Sequence, residues 1–201
     1  MAAREAQQER SRETRRRLLE ASLATLSEHG FPATTVSAVA ARAGVSRGAA
    51  QHHFPTRDSL VEAALEEFFS ERTQKLRASV AALSTGRDGA PVEDVLELVF
   101  GFFSNRPFHA ALHIWAAAST DAGLRELIVP AEARYGREVF QLMALALNAD
   151  LSDQHTRRLL GLTLDVARGL GLGSVLVDTR QHQRHALETW SAILADIARN
   201  D

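Results

Sequence analysis

The apolar positions of this chain recur with a helical period almost from end to end. Between Arg12 and His29 they fall at Leu18, Leu19, Leu23 and Leu26, the stripe of one amphipathic helix face, with Arg12, Arg15, Arg16 and Glu20 mostly off it. Gly30 and Pro32 end that helix. Thr35 is placed to cap a short second helix carrying Val36, Val39, Ala40 and Ala43, which Gly44 stops. Ser46 can cap a third helix, Arg47 to His53, closed by Phe54-Pro55 because the residue before proline disfavours helical conformation. Thr56 then caps a long fourth helix, with Asp58 near its positive end and Leu60, Ala63, Ala64, Phe68, Leu76 and Val80 on its apolar face. The stretch "STGRDGAP" (84–91) reads as a linker. Five more helices follow at about 92–104, 107–119, 121–148, 153–176 and 180–199, with Pro107 at a helix start and Pro130 expected to kink or split the helix around it. No alternating strand pattern occurs, so the chain is expected to be all-α.

Charge distribution adds direction to this picture. The 201 residues carry a net charge of −2, but residues 1–60 hold nine arginines against six acidic residues, a net of +3. The remainder holds 14 basic and 19 acidic residues, a net of −5. A basic head on an acidic body suits a chain whose one end meets a polyanion. There is no cysteine, hence no disulfide and no thiolate metal site. A polar first segment and the lack of an apolar run of about 20 residues make a cytoplasmic protein without a membrane span the expectation.

Two short helices joined by a glycine-containing turn, the second of them capped, form a helix-turn-helix pattern. The second helix would offer its N-terminus and one face to a major groove while the first braces it. Gly48, Ala49 and Ala50 are small enough for close approach, and Arg47, Gln51, His52 and His53 can hydrogen-bond base edges or phosphates. Arginine pairs with guanine and glutamine with adenine through two hydrogen bonds each. Thr35, Ser46 and the backbone amides at the helix starts suit phosphate oxygens. Adjacent histidines on a helix point about 100° apart, which disfavours joint metal ligation by His52 and His53.

From about Arg12 to Leu65 the chain resembles the TetR-type transcriptional repressors. The resemblance rests on "GFPATTVSAVAARAGVSRGAAQHHFPTRDSLVEAAL", with "GF" and "TTV" before the second helix, "AGVS" and a glycine across the turn, and "HFPTRD" leading into the fourth helix. It implies that Thr35, Ser46, Arg47, Gln51, His52, His53 and Arg57 meet DNA, with Gly48 permitting the approach, that Phe54 is core, and that one or two of Arg15, Arg16 and Arg17 reach the backbone. Where the family often carries tyrosine before the histidine pair, this chain has Gln51. The implied layout is a flexible basic arm (1–11), a helix-turn-helix DNA-binding domain of three helices (12–56), a connecting helix (57–83) and a helical ligand-binding and dimerisation domain (92–201).

In that last region two helices are candidates for a homodimer interface, a four-helix bundle with two from each subunit. One carries Leu159, Leu162, Val166 and Leu170, the other Leu187, Trp190, Ile193, Leu194 and Ile197. A small hydrophobic or amphipathic effector would lie between helices, against some of Phe100, Phe103, His109, His113, Trp115, Tyr135, Phe140, Met143 and Asp165. His109 and His113 have metal-ligand spacing, but no further cluster supports them, and neither metal nor cofactor is expected. The run "GLGLG" (169–173) follows no strand and sits within a helical stripe, so it reads as helix packing and not as a nucleotide loop. No nucleophile–base pair or phosphate loop suggests an enzyme. The expected protein is a dimeric repressor that binds a palindromic, double-stranded operator and is released by a small molecule; the alternative is a helix-turn-helix regulator without such a ligand, an activator or one controlled by a partner.

Overall fold

The structure, a computed structural model, describes residues 2–83, 89–197 and 199, with side chains from Glu5 onward. Among the described residues there are nine helices and no strand: α1 (Ala2–His29), α2 (Val36–Ala43), α3 (Arg47–His53), α4 (Arg57–Ala81), α5 (Val92–Phe102), α6 (Arg106–Thr120), α7 (Ala122–Ala146), α8 (Gln154–Gly173) and α9 (Arg180–Leu194). None of these helices is long and apolar enough to cross a membrane. The linker read at 84–91 lies mostly outside the described residues.

Two elements differ from the sequence reading. Residues 2–11, expected as a flexible basic arm, are helical and form the start of α1, and the two arginines there are balanced by Glu5 and Glu9. This segment is built of strong helix formers (alanine, glutamate, glutamine, arginine) without an apolar stripe, so propensity extends the helix where periodicity is silent. A lattice of ion pairs along the helix supports the next turns: Arg16 binds Glu13 at 2.7 Å and also Glu20. Helix α7 passes through Pro130 unsplit. Pro130 is exposed, so water can satisfy the carbonyl that loses its helical partner.

The chain divides into two compact units, residues 1–71 with 113–133, and residues 72–112 with 134–201. The boundary falls inside α4, α6 and α7, so the first unit is larger than the DNA-binding head drawn from the sequence. Its core joins Leu18 and Leu19 of α1, Val39, Ala40 and Ala43 of α2, Ala50 of α3, Phe54, and Leu60 and Ala64 of α4. Full burial of a leucine or phenylalanine of this kind contributes roughly 1.5–3 kcal/mol.

The second unit is built around Leu96, Phe103, Phe108, Met143, Leu147 and Leu160, all fully buried. Phe103 and Phe108 meet edge to face at 5.2 Å. Arg72 of α4, 4% exposed, gathers three segments: Nε donates to the Tyr135 hydroxyl at 3.2 Å, Nη1 to Asn105 Oδ1 at 3.3 Å and Nη2 to the Phe102 carbonyl at 3.2 Å. The Trp190 indole of α9 donates to Thr163 Oγ1 of α8 at 2.8 Å. The "GLGLG" run serves packing at one point above all: a Cβ on Gly171 would lie 1.8 Å from the Phe103 carbonyl oxygen and 2.6 Å from the Phe108 ring. Backbone cannot yield to that extent without moving α5 or α8.

Gly171→Ala is therefore expected to lower the melting temperature by roughly 6 °C or more, from an overpacking cost of about 3 kcal/mol and about 2–4 °C per kcal/mol in a chain of this size. Gly161→Ala, ten residues earlier with nothing within 4 Å of the added methyl, is expected to leave the temperature unchanged or raise it slightly. Thermal unfolding followed by circular dichroism distinguishes the two.

Candidate nucleic-acid interface

Local chemistry builds α2 and α3 one cap at a time. Thr35 is extended (φ −85°, ψ 153°), and its hydroxyl oxygen accepts from the Ala38 N–H at 3.1 Å. Gly44 closes α2 in the left-handed region (φ 64°, ψ 37°), and the Val45 N–H reaches back to the Ala40 carbonyl at 2.9 Å. Ser46 caps α3 by accepting from the Ala49 N–H at 3.2 Å. Ala50, fully buried, presses α3 onto the head without holding it away, and Phe54 ends the helix in extended conformation with its N–H on the Ala50 carbonyl at 2.8 Å. Thr56 and Ser59 then exchange bonds at the start of α4: the Ser59 N–H donates to Thr56 Oγ1 at 3.1 Å and the Thr56 N–H to Ser59 Oγ at 3.3 Å.

Four arginines of α1 and α2, Arg15, Arg16, Arg17 and Arg42, are engaged within the protein. Arg17 donates to the Ala43 carbonyl, the last residue of α2. Arg42 holds Glu28 through two hydrogen bonds of 2.6 Å, and this guanidinium keeps the Glu28 carboxyl below the usual carboxylate range. Arg15 stands 5.7 Å over the Phe54 ring and 3.6 Å from Glu67. Of the three arginines at 15–17, each expected as a possible backbone contact, Arg17 and Arg15 brace the motif and Arg16 is tied along α1.

The outward face of α3 is composed differently. Arg47, Gly48, Gln51 and His52 are exposed and, at helical spacing, share one side. Arg47 and Gln51 make no hydrogen bond or ion pair among the described residues, and His52 has only an edge contact with the His53 ring at 5.9 Å. His53 is half-buried; burial first, then the neighbouring His52 and Arg15, hold its pKa below the ordinary histidine value, so it is neutral at pH 7. Thr35 and Ser46 are exposed, and each hydroxyl oxygen that accepts a capping bond still has an O–H to donate. Arg57 opens α4 with its guanidinium 3.9 Å over the Phe31 ring and Nε on Asp58 at 3.0 Å. Its Nη groups donate to nothing among the described residues. A seven-residue helix spans about 10 Å, and a major groove about 12 Å wide admits it.

The other expected residues are dispersed. Phe103, Tyr135 and Met143 are core side chains, Phe140 and Trp115 are half-buried, and His113 and Asp165 are exposed. Trp115 and His113 belong to the N-terminal unit, the rest of this group to the C-terminal one. His109 Nε2 lies 3.0 Å from Ser174 Oγ, whose hydroxyl donates to the Gly171 carbonyl, so the histidine is the donor between them. Of the ligand candidates, Phe100 borders a sizeable groove, a cavity of about 780 Å³ between α5 and α9, shared with Glu97, Asp178, Gln183, Arg184 and Leu187. Sequence reasoning does not find these polar residues, because Glu97 on α5 and Gln183 and Arg184 on α9 are brought together only by the fold. Among the interface candidates, Leu159, Leu170, Leu194 and Ile197 are buried within the chain's own core. Val166, Leu187 and Trp190 are half-buried, while Leu162 and Ile193 remain 49% and 39% exposed.

Comparison with known proteins agrees with this geometry. The family described as bacterial regulatory proteins, tetR family, matches residues 18–64. The HTH-type transcriptional regulator CymR of Pseudomonas putida is 34% identical over 174 residues, 86% of this chain and 84% of that protein. Two solved structures share the fold at lower identity. A Saccharomonospora viridis protein in complex with choline is 18% identical, with a TM-score of 0.62 over 94% of this chain and 99% of its own. The multidrug binding protein EbrR, complexed with imidazole, is 24% identical, with a TM-score of 0.63 over 89% and 93%. A capped helix-turn-helix with an unengaged polar face, joined to a helical C-terminal unit and matched along most of its length by a known regulator, places the chain in the TetR family of DNA-binding transcriptional regulators.

Proposed function

We propose that this regulator is a homodimeric repressor that grips a palindromic operator with two copies of α3 and lets go when a small molecule enters the C-terminal unit. The observation that carries the DNA half is the pair Arg47 and Gln51, exposed and unengaged on the outer side of a helix whose other basic neighbours are tied down. Arg47 reads guanine and Gln51 adenine; Thr35, Ser46 and Arg57 hold phosphates, with the two helix N-termini adding their amides. A twofold dimer reads two half-sites about one helical turn apart.

For the dimer, the support is apolar surface on α8 and α9: Leu162 and Ile193 stand out of the core, with Val166, Leu187 and Trp190 partly exposed beside them. For the effector, the support is the α5–α9 groove, whose Phe100 and Leu187 offer apolar contact and whose Glu97, Gln183 and Arg184 offer hydrogen bonds. Asp178 contributes little there, since the Arg180 guanidinium binds its carboxyl and pulls it down to about 2. A small amphipathic molecule fits this lining, and the choline and imidazole complexes of the structural neighbours are of that size class. Release requires only that the effector favour one state of the dimer over another, by a coupling of about 1–3 kcal/mol.

Selection from random duplexes, followed by fluorescence anisotropy, is expected to yield a palindromic site bound with an affinity that falls steeply with salt, by about 0.9 log units per log unit of salt for each phosphate contact. Arg47→Ala with Gln51→Ala is expected to weaken that site roughly 10- to 100-fold while leaving the melting temperature unchanged. No enrichment by the intact protein would sink the repressor reading. Binding without thermal stabilisation by any small molecule would favour control by a partner protein.

Leu162→Glu with Ile193→Glu is expected to shift sedimentation equilibrium from dimer to monomer without loss of helicity, because both side chains are exposed in the single chain. A dimer undiminished by these charges would move the interface elsewhere.

A further inference from the structure

The N-terminal unit includes a piece of chain that the sequence assigned to the other domain, residues 113–133, comprising the end of α6, the corner at Asp121 and the start of α7. This corner packs on the turn between α1 and α2. A Cβ on Gly123 would lie 3.3 Å from Phe31 Cε1 and 3.4 Å from Asp121 Oδ1, so only a residue without a side chain lets the corner rest against the ring undisturbed. Asp121 fixes the corner itself, accepting from the Leu124 N–H at 3.0 Å, while Arg125 Nε donates to the Ala118 carbonyl at 3.1 Å across it. Phe31, 2% exposed, meets the corner at its Cε1 and carries Arg57 over its ring at 3.9 Å. Asp58 holds the Nε edge of the same guanidinium, which leaves the Nη edge directed by ring and carboxylate together.

We infer that Phe31 is a positioning residue for the DNA contact of Arg57, and that the α6–α7 corner, through Gly123, sets the position of that ring. The inference rests on the reading that Arg57 meets a phosphate. Stacking removes freedom from a long flexible side chain before DNA arrives, so less ordering remains for binding to supply. Both helices of the corner continue into the C-terminal unit at their far ends.

The test uses the full-length protein and a duplex selected by it, with affinity measured by anisotropy across a series of potassium chloride concentrations and melting temperature measured in parallel. Arg57→Ala is expected to lower the salt slope by about 0.9 per bound subunit, one phosphate contact each. Phe31→Leu is expected to weaken binding about 3- to 10-fold and to lower the slope toward that of Arg57→Ala, and to cost nothing further when combined with it. Phe31→Tyr, which keeps the ring, is expected to bind as the wild type does. Gly123→Ala, which pushes the ring by a few tenths of an ångström, is expected to reduce affinity in the wild-type background and not in the Arg57→Ala background. Should Phe31→Leu unfold, Phe31→Met, which also lacks an aromatic face but has an unbranched side chain that adapts to irregular core space, takes its place. Wild-type slope and affinity in Phe31→Leu or Phe31→Met, with Arg57→Ala impaired, would overturn the positioning role. Additive losses in the double variant would do the same, because a structural defect adds where a shared contact does not. An unchanged slope in Arg57→Ala overturns the inference at its premise, and identifies the phosphate reading of Arg57 as the part that failed.

Discussion

The presentation of α3 depends on a left-handed residue one turn before it. Gly44, at φ 64°, turns the chain so that α2 ends and Ser46 can begin the next helix two residues later. An ordinary side chain there would be strained by the backbone and would also stand 2.8 Å from Arg17 Nη2, the group that binds the last carbonyl of α2. Conformation and space are thus restricted at the same atom. Everything outward of it follows: the capped start of α3, the burial of Ala50, and the exposure of Arg47 and Gln51 on the opposite side.

Arginine does two kinds of work in the head, and position within the fold separates them. Arg17, Arg42 and Arg15 connect α1 to α2, to Phe54 and to Glu67, holding the motif's helices in place. These exposed ion pairs each add little to global stability, but they remove charge from competition for DNA. Arg47 and Arg57 have no Nη donor engaged among the described residues. The net charge of the head therefore overstates how much of it stands unpaired, since several of its arginines are already held by partners in the protein.

Local signals made the helix-turn-helix legible. Thr35, Gly44, Ser46 and Thr56 act within three or four residues of themselves, and each lies in the sequence where it acts in the structure. The start of α1 was illegible to periodicity, because a helix exposed on all sides needs no apolar stripe. Pro130 gave a true local signal that solvent exposure made harmless. The C-terminal unit was legible as helices and much less as surfaces. Leu159, Leu170, Leu194 and Ile197 carry the same spacing as Leu162 and Ile193, and only the packing of the folded chain decides which of them face inward. The groove between α5 and α9 joins residues some eighty positions apart, such as Phe100 and Gln183, and no single stretch encodes it. Phe31 under Arg57 is of the same kind, an apolar residue whose purpose depends on a cation 26 positions away.

The division of the chain into two units has an optical counterpart. Its two tryptophans fall one to each: Trp115 in the segment that joins the N-terminal unit, and Trp190 on α9 of the C-terminal unit, bonded through its indole to Thr163 of α8. The emission of Trp190 depends on whether that bond between α8 and α9 persists, and the emission of Trp115 on the surroundings of α6 beside the head. The protein thus contains a native pair of fluorophores that distinguishes an event in one unit from an event in the other, with no label attached.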